Sequence, residues 1–192
     1  MVVGRFGLER APGGLRLVQS LVNTTLADNR DKPDLDLLAD TVTANDWATR
    51  SLAEWAAATG QAAPRVTLCR DDLPPLRELR DLLRRWLRAD AAHVDAPREP
   101  IASAPFDTEV ALRLHADGRV DYHAPDVAGL VVIETLLARA AGTLPRLKAC
   151  AALHCGACFY DASPSRTRVW HDTKMCGNVP NLRASRARRG TV

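Results

Sequence analysis

The chain has 192 residues, 46% hydrophobic and 26% charged, with a net charge of +3. This is the composition of a soluble globular protein, one domain or a domain plus a small module, long enough to bury a core. No apolar run approaches the roughly 20 residues that span a bilayer.

Met1-Val2-Val3-Gly4-Arg5 lacks the apolar stretch of a signal peptide, so the expected location is cytoplasmic. In that reducing compartment clustered cysteines serve metal or redox chemistry more often than disulfides. The charge is uneven: from Pro145 onward nine Lys or Arg face two acids, a charge of +7, which leaves −4 on residues 1–144. An acidic body with a basic end points to a polyanion partner for the end alone.

Residues 1–14 carry five Gly or Pro without periodicity and read as a loose arm. Leu15, Val18, Leu21, Val22, Thr25 and Leu26 recur at helical spacing and predict a first amphipathic helix. Asp28 to Pro33 reads as a polar loop, and Asp34 to Ala39 as a helical turn. A second helix has Thr43 or Asn45 as its N-cap and Gly60 just past its end. Trp47, Leu52, Trp55 and Ala56 share one of its faces, and the two tryptophans are expected in the core rather than lining a ligand pocket.

Gln61 to Cys69 reads as a connector with Val66-Thr67-Leu68 extended, and Cys69 as a core cysteine. Asp71 or Asp72 caps a third helix whose first turn holds Pro74-Pro75. Leu76, Leu79, Leu82, Leu83, Trp86 and Leu87 form its apolar stripe. Arg77, Arg80, Arg84, Arg85 and Arg88 fall largely off that stripe; Glu78 and Asp81 interrupt them, so they are expected to be a solvated face.

Residues 89–106 read as a linker. Glu109 to His115 and Val120 to His123 alternate polar and apolar around Asp117-Gly118, which predicts a β-hairpin. His115 and His123 lie on its two arms, and with no completing ligand nearby they read as surface histidines. Pro125 to Thr143 predicts a fourth helix, apolar around much of its circumference and so expected at the centre of the core.

Beyond Pro145 few large apolar residues remain, too few for an independent core. A tetrahedral zinc with four Cys or His ligands would hold such a segment, contributing on the order of 10 kcal/mol or more. Cys150-x4-Cys155 and His171-x4-Cys176 are two close pairs across a polar turn, each able to supply two corners of the tetrahedron. Cys155-x2-Cys158 is also a plausible pair, and His154 adjoins Cys155. Cys150 is preferred over Cys158, which precedes Phe159-Tyr160 and reads as the buried inner face of a short strand.

The run Leu147-Lys-Ala-Cys150, Cys155-Gly-Ala-Cys-Phe159-Tyr-Asp161, Trp170-His171 and Cys176-Gly177-Asn178 resembles the CGNR zinc-finger family. That family carries Cys-x4-Cys and then Trp-Cys-x4-Cys-Gly-Asn-Arg. Leu17 and Leu21-Val22-Asn23-Thr24 are similar to the opening helix of the ABATE-type domain that usually precedes it. Two positions depart: the family's third cysteine is His171 here, which leaves a Cys3His site, and its arginine is Val179. Pro180 follows and suits the first turn of a basic helix capped by Asn178.

The resemblance implies an α+β chain: residues 1–144 as a mainly helical regulatory domain with one β-hairpin, and 145–192 as a zinc finger with a basic tail. It implies Zn2+ at Cys150, Cys155, His171 and Cys176. It also implies a DNA-binding regulator of stress-induced transcription, with Arg166, Arg168, Lys174, Asn178, Arg183, Arg186, Arg188 and Arg189 facing the DNA. Base edges would be met by Asn178, Asn181 and Arg183. A small-molecule effector, a protein partner or a homodimer contact would fall to the N-terminal domain.

An adaptor that uses zinc only structurally is the alternative. An enzyme is not expected, because a catalytic zinc leaves one position open and has a general base beside it.

Overall fold

An N-capping glycine opens the first helix. Gly14 precedes α1 (Leu15–Val22), and a Cβ there would lie 1.5 Å from Oε2 of Glu134. Glycine thus lets a buried carboxylate from a later helix rest against the N-terminus of α1, where the helix dipole favours negative charge. The computed structural model describes residues 7–26, 36–90, 106–152 and 155–177 of the chain.

The second helix, α2 (Thr41–Thr59), is capped by Asp40, whose carboxylate accepts from the amides of Val42 and Thr43. It starts before the Thr43 or Asn45 expected from sequence. Asn45 instead clamps the connector, exchanging two hydrogen bonds with the backbone of Leu68. Gly60 closes the helix in the left-handed conformation (φ 74°). A 3-10 turn at Arg70–Asp72 leads into α3 (Leu73–Asp90), with Asp72 accepting from the Cys69 amide. Cys69 itself is exposed, not a core residue.

Strands β1 (Ala111–Leu114) and β2 (Val120–His123) pair antiparallel, Leu112 opposite Tyr122 and Leu114 opposite Val120. Gly118 takes φ 83° in the turn. His115 and His123 do not meet; His115 pairs with Asp121 at 2.6 Å. Helix α4 (Val127–Ala140) is capped by Asp126. A 3-10 turn at Leu144–Arg146 runs directly into β3 (Leu147–Ala149), which pairs antiparallel with β4 (Cys158–Tyr160). The fold is α+β, with four α-helices and two small antiparallel hairpins among the described residues. Among the described residues no helix is long and apolar enough to cross a membrane.

The main core joins the inner faces of α1 to α4 with Leu147, Ala149 and Cys158 of β3 and β4. Trp47 and Trp55 are buried in it. Each indole NH is satisfied, Trp47 by Ser20 at 2.9 Å and Trp55 by Glu134 at 2.5 Å. The Tyr122 hydroxyl also donates to Glu134, so burial and this bond push its phenol up.

Three sequence expectations fail on packing grounds. Leu8 and Ala11 of the supposed loose arm are buried, because the Gln19 side chain bonds Ala11 N and Glu9 O and draws the segment in. The arginines of α3 are not merely solvated. Arg80 is buried against Asp36 and Thr24, while Arg77 and Arg84 satisfy the carbonyls of Leu38, Ala39, Val22 and Thr25 at element ends. The expectation for helix α4 fails only at Leu136 and Leu137, which are exposed, while Val127, Leu130, Val131 and Ile133 lie in the core. The expected loop at 28–33 lies outside the described residues, as does the expected linker at 89–106 except at its two ends.

Candidate metal centre

Four side chains converge below β3 and β4. Cys150 follows β3, its amide donating to the Ala157 carbonyl at 2.8 Å. Cys155 closes a turn by donating to Ala152 O at 2.9 Å, and Gly156 beside it takes φ 63°. His171 follows Trp170 in an irregular stretch held to the first knuckle by Ala151 N to Val169 O at 2.9 Å. Cys176 lies in a π-helical turn, Thr173–Gly177, whose first amides are taken up by Asp172: its carboxylate accepts from Lys174 N and Met175 N, and its carbonyl from Cys176 N. Gly177 packs closely on Trp170, and a Cβ there would lie 3.0 Å from the indole.

The donor atoms of Cys150, Cys155, His171 and Cys176 all lie within 4.8 Å of one another. His171 presents Nδ1, 3.3 Å from the Cys155 sulfur and 3.6 Å from that of Cys176. A tetrahedron with zinc–sulfur bonds of about 2.3 Å has edges of about 3.8 Å, so this spacing suits one zinc-sized ion. The three cysteines are buried and His171 is half-buried. The three cysteines form a second small cluster with Leu8, Ala152, Ala157 and Phe159, flanked by Leu26 and Trp170.

The acid–base chemistry of the cluster agrees. Hydrogen bonds from Cys155 and then from His171 hold the Cys150 thiol down to about 4 against its burial. Donating that proton pushes the Cys155 thiol up, with burial adding to it, and burial raises Cys176 as well. Three sulfurs this close cannot all ionise on their own. A divalent cation replaces the missing protons and lets them do so.

Cys158 is not part of the cluster. Its side chain is fully buried in the main core, and burial pushes its thiol up. His154 lies outside the described residues. Of the residues expected to face DNA, Arg166, Arg168 and Lys174 are exposed. Arg168 already stacks on Phe159 at 5.2 Å and gives a hydrogen bond to His171 O at 2.7 Å. Asn178, Arg183, Arg186, Arg188 and Arg189 lie outside the described residues.

Sequence reasoning passed over the polar brace that shapes the loop between the knuckles. Asp161 is fully buried. It accepts from Lys148 Nζ at 2.8 Å, from Ser163 N and Oγ, and from Arg168 N at 3.0 Å. Burial alone would raise its carboxyl; the bonds from Lys148, Ser163 and Arg168 outweigh that and leave it far below the usual range. Lys148 also donates to the carbonyls of Arg166 and Arg168. The legible signal was Asp161-Ala-Ser163, a side-chain-to-backbone turn sequence. A second omission is the pair Gln19 and Asn23 on α1. Asn23 exchanges two hydrogen bonds of 2.8 Å with the backbone of Cys158, and Gln19 adds one at 3.3 Å.

With all four positions supplied by protein, the site is of the closed, structural kind found in small zinc modules. Residues 146–189 match the family model of the CGNR zinc finger. That match and the four convergent donors are consistent with Zn2+ binding at Cys150, Cys155, His171 and Cys176. No curated protein and no solved structure matches the chain.

Proposed function

We propose that the chain is a DNA-binding transcriptional regulator, in which zinc fixes the second knuckle and the basic segment after it meets DNA phosphates. The observation that carries this reading is the match to a zinc-finger family over a segment with four clustered donors and a charge of +7. Arg166, Arg168 and Lys174, with Arg183, Arg186, Arg188 and Arg189 of the tail, are the cations proposed to contact phosphate, and Asn178 the residue nearest a base-reading role. The four-helix part would be an ABATE-type regulatory domain in a cytoplasmic, stress-linked regulator. Binding rather than catalysis follows on this reading, since four protein ligands leave zinc no open position for substrate.

Fluorescence anisotropy with duplex DNA across a salt series tests it. Deleting residues 181–192 removes four cations and should reduce the slope of log affinity against log salt by about 3 to 4. Failure of the full zinc-loaded chain to retain DNA at low salt would refute direct binding. A second reading, a protein-interaction adaptor with structural zinc, draws support from Leu112 and Leu114, which stand 69% and 75% exposed on the hairpin.

A further inference from the structure

A cleft of about 390 Å³ lies between α1 and α2, on the side of α1 that also carries the contacts to β4. Its polar lining has more donors than acceptors. Arg10, Arg16 and Arg50 bring three guanidinium groups, and Glu54 the only carboxylate among the lining residues. Glu54 pairs with Arg10. Among the described residues Arg16 reaches the Glu54 carbonyl alone, at 3.3 Å, and its buried Nε has no hydrogen-bond partner. Arg50 is exposed and gives its Nε to the Asp46 carbonyl at 3.1 Å. Two positive charges in the cleft therefore lack a carboxylate partner among the described residues.

The cleft also holds a surplus hydroxyl proton. Trp47 Nε1 donates to Ser20 Oγ at 2.9 Å, and Ser20 and Ser51 share one hydrogen bond at 2.7 Å. The two hydroxyls have two protons and a single bond between them, so whichever donates, one O–H has no acceptor among the described residues. Unmet donors beside uncompensated arginines select an anion, and planar guanidinium groups suit a carboxylate. Leu8, Leu37 and Trp47 give the same cleft an apolar side.

We propose that this cleft binds a small organic carboxylate, its charge held by Arg16, Arg50 and the Ser20–Ser51 pair and its apolar body set against Trp47, Leu8 and Leu37. Gln19 and Asn23 line the cleft and also hold the backbone of Cys158, three residues from the metal donor Cys155. Occupancy tightens that seam and slows metal loss from the zinc module. The site does not depend on whether the basic tail meets DNA, so loss of one reading leaves the other standing.

Calorimetric titration of the full zinc-loaded chain with benzoate, hexanoate, inorganic phosphate and neutral benzamide tests it. Benzoate or hexanoate should bind with one site per chain, and Arg50→Ala and Arg16→Ala should each weaken binding about tenfold or more. Arg139→Ala, on α4 outside the cleft, should leave it unchanged. Zinc transfer to a chelating dye should slow when the carboxylate is present, and Asn23→Ala should abolish that slowing at carboxylate concentrations that saturate the variant's own cleft. No heat from any carboxylate up to roughly 10 mM, a limit near the weakest specific binding, overturns the site. So do equal affinity for benzamide, equal or tighter binding of inorganic phosphate, and unaltered binding in both arginine variants. Zinc transfer that ignores a bound carboxylate overturns the link to the metal module.

Discussion

Replacing Asp161 by asparagine keeps the shape of the brace inside the zinc module and removes its charge. The carboxylate accepts four hydrogen bonds, two of them through Oδ2 from Lys148 and from the Arg168 amide. An amide nitrogen at that position would face two donors. The partner left behind is an ammonium only 15% exposed. Removing one member of a buried ion pair costs about 3–5 kcal/mol, and since Lys148 keeps two carbonyl acceptors the expected loss lies near about 3 kcal/mol.

Denaturant unfolding of the zinc-loaded protein reads this loss directly. The pH dependence gives its sign. The folded carboxyl lies below the ordinary value of about 3.9, so its stabilisation is fully present above that pH and disappears as the pH falls through the lower folded value. The gap between Asp161→Asn and the parent protein should therefore be wide near neutrality and shrink on acidification below about pH 4. A gap under about 1 kcal/mol at neutral pH, the range of exposed ion pairs, would refute the brace.

The other predictions concern the metal and the ties between elements. Metal analysis of purified protein should find one zinc per chain in the parent and in Cys158→Ser, and a loss of bound zinc in Cys150→Ser and Cys176→Ser; zinc lost from Cys158→Ser would overturn the ligand set. Glu134→Ala leaves Trp55 Nε1 and the Tyr122 hydroxyl without their acceptor, which should cost about 2–5 kcal/mol in thermal or chemical unfolding. Gly14→Ala places a methyl against the same carboxylate and should cost about 1–3 kcal/mol; a neutral result would mean that Glu134 rotates away freely. Asn23→Ala unpairs the Cys158 backbone, so hydrogen exchange in β4 should quicken while the zinc content stays at one per chain.

Local chemistry made part of this protein legible from its sequence. Residues 15–22 and 73–90 follow the apolar period closely enough to be placed as helices, and Asp117-Gly118 marks its hairpin because glycine tolerates the left-handed turn. The metal donors could be chosen because zinc demands cysteine or histidine in close pairs, and Cys158 could be set aside because it sits on the apolar face of a short strand.

Packing alone settles where polar side chains reach across the chain. Arg80 and Arg84 look like surface charges on a helical wheel, yet they close the ends of other elements. Gly13-Gly14 looks like slack, yet Gly14 makes room for Glu134, which is 120 residues away in the chain. Lys148 and Asp161, like Asn23 and Cys158, carry no periodic signal of partnership, because a buried polar group is satisfied by whichever partner the packing brings near. Residue pattern and donor spacing carry the helices, the Asp117-Gly118 hairpin and the zinc-type donor set. The folded chain determined which polar groups hold the metal module against the helices, because those contacts exist only once the core has closed around them.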